Sequence, residues 1–201
     1  MKLMSALPKY EMTADEFLGW VQHQPKEAGR FELLDGHVVT LQSERLVHTE
    51  IKSGMYFSLR SAIGKAGLPC FALSEGPLVR INATRSFLPD AMVYCGGRKS
   101  ADEVEVSDPI IVCEVLSPDS IARDHGEKLV GYFSLASIQH YLIVDPDTNM
   151  LIHHRRGQGE DIITRVYSAG SVTMEPPGIT IALADIFERE PRPDPVEEQR
   201  A

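Results

Sequence analysis

No segment of this chain approaches the roughly 18 consecutive apolar residues that a membrane-spanning helix needs, so a membrane partner is not expected. The opening Met1–Pro8 carries one positive residue and too short an apolar stretch for a secretory signal, so a cytoplasmic protein is expected. Cysteine is scarce: Cys70, Cys95 and Cys113 are odd in number and widely spaced. That pattern argues against a disulfide framework or a zinc site, and all three are expected as reduced thiols in the core. No glycine-rich phosphate loop of either nucleotide-binding type is present, which argues against an NTPase or a dinucleotide enzyme. Ser117 with Asp124 and His125 lacks the Gly-x-Ser-x-Gly elbow of a serine hydrolase, so acyl transfer is set aside. Positive charge is short as well. With 20 Lys and Arg against 29 Asp and Glu, the net charge is −9 and the pI near 5.2. Such a surface repels a polyanion as a whole, so any nucleic-acid contact must run through local clusters such as Arg80, Arg85, Arg98, Lys99, Arg155 and Arg156.

What is there describes a folded domain. The 201 residues are 43% hydrophobic and 24% charged, enough for one ordinary core and no second catalytic domain. The expected organisation is an N-terminal arm over 1–11, a folded domain over 12–187, and a disordered tail over 188–201, where three prolines and mixed charge leave almost nothing apolar. Thr13-Ala14-Asp15-Glu16 has the form of a capping box and predicts a short helix through Phe17, Leu18, Trp20 and Val21. Arg30 to Thr40 alternates around Asp35-Gly36, a strong hairpin signal. From Ser43 onward, Val47, Ile51, Met55, Leu59 and Ile63 recur along one helix face, with Gly64 and Gly67 as stop signals. Strands are predicted at Cys70–Leu73, Pro77–Ile81, Phe87–Cys95, Ile110–Leu116, His140–Val144, Met150–His154, Ile162–Tyr167 and Ile179–Ala182. A helix opening at Asp124-His125-Gly126-Glu127, by the same cap-and-glutamate logic, is predicted to turn Leu129, Tyr132, Phe133 and Ala136 inward. This order predicts an α/β (α+β) domain in which a mixed sheet is flanked by helices.

Glu114 is the residue that points to chemistry. It lies in Ile110-Ile111-Val112-Cys113-Glu114-Val115-Leu116, a run apolar enough for a central strand covered on both faces. An ionised group buried there without a partner costs several kcal/mol, so a cation, a metal or dense hydrogen bonding must meet it. Pro89-Asp90 at the mouth of a neighbouring strand offers a second carboxylate, and Lys128 at the start of the next helix a cation. Two carboxylates and a main-chain carbonyl, such as that of Val115, satisfy a hard divalent ion that keeps several of its waters. Glu32 alternates with Phe31 and Leu33 and fits the solvent side of the hairpin equally well. His48, beside Val47 and Ile51, suits either a contact to a site carboxylate or water, or a satisfied core position. His153-His154 cannot chelate one ion from a strand, because neighbouring side chains point to opposite faces.

Taken together, Met12-Thr13-Ala14-Asp15-Glu16-Phe17, Phe31-Glu32-Leu33-Leu34-Asp35-Gly36, Leu88-Pro89-Asp90, Val112-Cys113-Glu114-Val115-Leu116-Ser117-Pro118, and Gly126-Glu127-Lys128 with Tyr132 are similar to the Uma-type restriction endonucleases, a bacterial group within the PD-(D/E)XK nuclease superfamily. The resemblance runs from about Thr13 to Phe187. It implies a restriction-endonuclease-like fold and Mg²⁺- or Mn²⁺-dependent cleavage of nucleic acid, with DNA as the expected substrate. It places Asp90, Glu114, Lys128 and Glu32 at catalytic positions and matches His48 to a position that often holds histidine. It also implies a homodimer. One departure stands out: the superfamily pattern puts lysine two residues after the second acid, where this chain has Leu116, and in the Uma-type pattern the following helix supplies it, at Lys128. A second reading is a catalytically inactive protein of the same fold that acts as an oligomeric binding or scaffold module, which the acidic composition favours.

Overall fold

The computed structural model describes residues 7–41, 44–117 and 124–187. The expected tail over 188–201, the first six residues of the arm, and Pro118-Asp119-Ser120 lie outside the described residues. Helix α1 (Ala14–Gln22) starts from Thr13, whose hydroxyl accepts from the Glu16 amide while the Glu16 carboxylate accepts from the Thr13 amide, closing the predicted capping box. Strands β1 (Arg30–Leu34) and β2 (His37–Leu41) form the predicted hairpin. Its turn residues Asp35 and Gly36 have φ of 48° and 80°, the left-handed pair that matches strand twist. The long helix α2 (Leu46–Ala66) buries Ile51, Met55, Leu59 and Ile63 and stops at Gly67, which is left-handed at φ 63°.

Next come β3 (Cys70–Ser74), β4 (Val79–Asn82), β5 (Arg85–Phe87), β6 (Ala91–Cys95) and β7 (Pro109–Val115). Helix α3 (Glu127–Ser134) precedes β8 (His140–Asp145), β9 (Met150–Arg156), β10 (Ile162–Tyr167), β11 (Ser171–Met174), β12 (Ile179–Ala182) and α4 (Ala184–Phe187). A four-stranded antiparallel sheet has the order β2-β1-β5-β4, and a six-stranded mixed sheet the order β10-β9-β8-β7-β6-β3. The parallel pair β7–β8 lies at the centre of the larger sheet and is joined through α3. Alternation along β7 sends Ile111, Cys113 and Val115 into a core formed with α2, the β11–β12 hairpin and α4. Val112 points the other way, into a core with β4, β5 and α3, and Glu114 shares its face. A third cluster packs Phe17 and Ala14 of α1 onto Phe31, Leu33 and Val38 of the smaller sheet.

Several expectations are corrected. The run Phe87–Cys95 is two strands in different sheets, because Pro89 has no amide to continue a ladder and Leu88-Pro89-Asp90 carries the chain across. Cys70 and Cys95 face each other in the β3–β6 register and form a disulfide, while Cys113 stays free and buried. That pairing depends on a strand contact between residues 25 apart in sequence, which spacing alone does not reveal. Helix α3 begins after Gly126, which makes no side-chain cap, so the Asp124–Glu127 box does not form; Ala136 lies beyond the helix and is exposed. Strand β11 was not anticipated, since its alternating Val172 and Met174 span only four residues.

Candidate active site

Asp90 stands where the two sheets meet, and strand register fixes its neighbours. Pairing of Ala91 with Cys113 sets Asp90 beside Glu114, and pairing of Ala91 with Ser74 sets it beside Glu75 on its other flank. The Asp90 amide donates to the Cys113 carbonyl at 3.0 Å, and its Oδ2 accepts from the Val115 amide at 2.7 Å. Three of the residues singled out by sequence, Asp90, Glu114 and Val115, thus lie at one end of adjacent strands. Burial raises the Asp90 carboxyl above the ordinary aspartate range, against the pull of Lys52.

Lys128 ties the site to the smaller sheet. Its Nζ lies 2.8 Å from Glu114 Oε1, 2.9 Å from Glu32 Oε1 and 3.6 Å from Asp124 Oδ1. All four groups are buried, and Glu32 is completely inaccessible rather than on the solvent side of the hairpin. Glu32 Oε1 also accepts from the Leu88 amide at 3.0 Å, next to the crossover that delivers Asp90. The Tyr132 hydroxyl donates to Glu114 Oε1 at 2.7 Å from one turn along α3. Burial raises the Glu114 carboxyl well above its ordinary range, with Lys128 opposing and Asp90, Asp124 and Glu32 adding to the rise. Burial alone lowers the Lys128 ammonium, yet Glu114, Glu32 and Asp124 bring its net shift above the ordinary lysine value.

Sequence reasoning missed the other half of the site. Glu44, just before α2, and Glu75, just after β3, each bring a carboxylate oxygen to Asp90, and the three oxygens lie within 4.8 Å of one another. Lys52 of α2 enters this cluster, with Nζ 2.5 Å from Glu44, 2.6 Å from Asp90 and 3.3 Å from Glu75. Arg30 pairs with Glu44 and Glu75 from outside. Burial lowers the Lys52 ammonium, but Asp90, Glu44 and Glu75 leave it raised overall. The available signal was that Lys52 lies on the buried stripe of α2 with His48, Ile51, Met55 and Leu59, where a solvated lysine does not belong. Glu44 and Glu75 sit outside regular elements and carry no periodic signal.

His48 is buried on that stripe, with Nε2 3.4 Å from Arg45 Nη2, and its Nδ1 has no hydrogen-bond partner among the described residues. No described hydrogen bond takes it to Asp90 or Glu114. The basic residues picked out as possible phosphate contacts are largely engaged elsewhere. Arg80 pairs with Asp15 and Glu105, Arg85 with Asp35, and Lys99 with Asp108. Arg156 binds the carbonyls of Phe133, Leu135 and Ile138. His153 and His154 point to opposite faces as expected: His153 pairs with His140 at 2.9 Å and His154 with Thr164 at 2.8 Å.

Residues 14–185 match a family described as Uma2, putative restriction endonuclease. This chain belongs to the Uma2 family. It is 22% identical over 182 residues to the uncharacterised protein slr1290 of Synechocystis sp., covering 90% of this chain and 93% of that one. It is 24% identical over 147 residues to the uncharacterised protein sll1609 of the same organism, covering 72% and 81%. The fold matches the crystal structure of a putative nuclease belonging to DUF820 from Anabaena variabilis, with a TM-score of 0.68 and 21% identity over 88% of this chain and 97% of that one. Membership accounts for the mixed sheet flanked by helices and supports a nuclease. Among the described residues, no helix is long and apolar enough to cross a membrane.

Proposed function

We propose that this Uma2 protein is a divalent-metal-dependent endonuclease that hydrolyses phosphodiester bonds in nucleic acid, most simply DNA, as a cytoplasmic homodimer. The observation that carries the reading is the meeting of Asp90, Glu114 and Lys128 at one strand end, from three separate parts of the chain. The donor set fits Mg²⁺ or Mn²⁺: the carboxylate oxygens of Glu44, Glu75 and Asp90 lie within 4.8 Å of one another, and hard oxygen ligands are what such an ion takes. Asp90, Glu114 and the Val115 carbonyl would hold the ion, with Glu44 and Glu75 extending the set on the open side. When bound, the ion would supply Lewis acidity to a water and to the phosphoryl and leaving oxygens.

The chain's own residues set the stage for that ion. The Val115 amide fixes one Asp90 oxygen and so orients the carboxylate. Lys128 and Tyr132 fix Glu114 Oε1, so the acid is held rigidly rather than left to rotate. Glu32 and Asp124 hold Lys128 in turn. Buried this deeply, Lys128 orients Glu114 and lends its field to the site. Cutting both strands of a duplex needs two such sites or two nicks, which is the functional reason to assign a homodimer.

The test is incubation with single-stranded, duplex and structured substrates. Cleavage is expected with Mg²⁺ or Mn²⁺, none with chelator, and a loss of more than about 100-fold in Asp90→Asn, since even residues that only support ligands typically change activity 10- to 100-fold. Absence of turnover on every substrate, together with no heat of Mn²⁺ binding, would sink the proposal. The second reading, an inactive binding or scaffold module, is favoured by the net charge of −9 and by the protein partners of Arg80, Arg85, Lys99 and Arg156. Metal binding without cleavage of any substrate would select it.

A further inference from the structure

Two lysines serve this site, and their surroundings differ in one respect that matters. Around Lys128, the side chains of Glu32, Glu114 and Asp124 are between 0% and 5% exposed, so its ammonium has no way out. Around Lys52, the side chains of Asp90, Glu44 and Glu75 are 12%, 23% and 38% exposed, so that cluster opens toward solvent. Lys52 enters it from α2 on a flexible four-carbon stem. Its Nζ lies within 3.3 Å of an oxygen from each of the three acids.

Three oxygens within 4.8 Å of one another enclose room for one cation. A divalent ion bonds carboxylate oxygen at about 2.0–2.6 Å, closer than an ammonium does. Placing both in the cluster would bring a single and a double positive charge nearly into contact. From this we infer that Lys52 is the resident counter-ion of these carboxylates, and that a divalent ion enters the site by displacing the Lys52 ammonium rather than by adding to an open site. The inference rests on the metal-dependent reading above. It explains why three acids are tolerated side by side, and it makes metal binding an exchange of cations. Arg30 pairs with the same Glu44 Oε1 and Glu75 Oε2 that Lys52 contacts, so these two acids keep one cationic partner during that exchange.

Calorimetric titration of Mn²⁺ into wild type, Lys52→Met and Lys52→Arg tests the exchange. Lys52→Met should bind Mn²⁺ at least about tenfold more tightly than wild type, because no ammonium has to be expelled, and Lys52→Arg should show no such gain. Equal or weaker binding by Lys52→Met, with wild-type binding intact, overturns the inference and leaves the metal-dependent reading standing. Absence of Mn²⁺ binding in every protein overturns both. A measurement on the wild type avoids any question of whether the variant folds: acetylation of lysines by an N-hydroxysuccinimide ester, read by mass spectrometry. Lys52 should be protected without metal and react several-fold faster at saturating Mn²⁺, while Lys128 stays protected throughout. Continued protection of Lys52 at saturating Mn²⁺ overturns the inference.

Discussion

Removing the Lys128 ammonium leaves Glu32, Glu114 and Asp124 facing one another in a space almost closed to water. Deleting one partner of a buried ionic group typically costs about 3–5 kcal/mol, so Lys128→Met should lose that much stability in urea unfolding. Glu32→Gln removes one acid and keeps the cation matched by two others, and its loss should be smaller. A separate residue-level effect belongs to His153. The Pro176 carbonyl can only accept, so His140 Nε2 carries the proton, and neutral His140 presents Nδ1 as an acceptor to His153 Nε2–H. Burial and then the neighbouring His140 and Arg155 push His153 down to about 4, from a usual value near 6.5. As pH falls below 6.5 the unfolded chain takes up the proton and the native imidazole does not. Stability attributable to His153 is therefore present at neutral pH and is lost progressively as pH falls from about 6.5 through 4, below which both states are charged. The difference between the stability–pH curves of wild type and His153→Gln should isolate that slope.

Helix α3 approaches the smaller sheet so closely that a methyl group on Gly131 would come within 2.7 Å of the Phe87 ring, which is itself fully buried. Gly131→Ala should cost about 1–3 kcal/mol by overpacking. It should also weaken Mn²⁺ binding, because α3 carries Lys128 and Tyr132 to Glu114. At β3–β6 the paired cysteines give a simple chemical check: denatured, unreduced protein should show one titratable thiol, Cys113, and three after reduction. Elements with a local chemical cause were legible in sequence. The capping box of α1, the Asp35-Gly36 turn and the apolar stripe of α2 each follow from residues within one element. Elements defined by distant partners were less so. The split between β5 and β6, the pairing of Cys70 with Cys95, and β11 all depend on which strands become neighbours. The site divides the same way. Glu114 was conspicuous because a carboxylate interrupts an apolar strand, whereas Glu44 and Glu75 resemble ordinary surface charges until the fold gathers them, and Lys52 is marked only by its place on the buried stripe of α2.

At the scale of the whole molecule, a net charge of −9 must coexist with any polyanionic substrate. Four of the six basic residues singled out in the sequence, Arg80, Arg85, Lys99 and Arg156, are held by protein partners rather than turned toward phosphates. Metal-free protein should bind duplex DNA weakly, with log K against log salt no steeper than about −4 in a fluorescence anisotropy titration, since each phosphate contact contributes about 0.9 to the slope. A much steeper dependence would reveal a basic track that these ion pairs do not provide. The cage around Lys128 also bears on how the molecule comes apart. Its carboxylates arrive from β1 in one sheet and β7 in the other, and the ammonium itself from α3. The same group that orients a reactive acid therefore acts as a keystone between two otherwise separate lattices of strands. Any chemistry lost on altering it arrives mixed with mechanical loosening, and amide hydrogen exchange in β1 and β7 would accelerate together, as one joint opening.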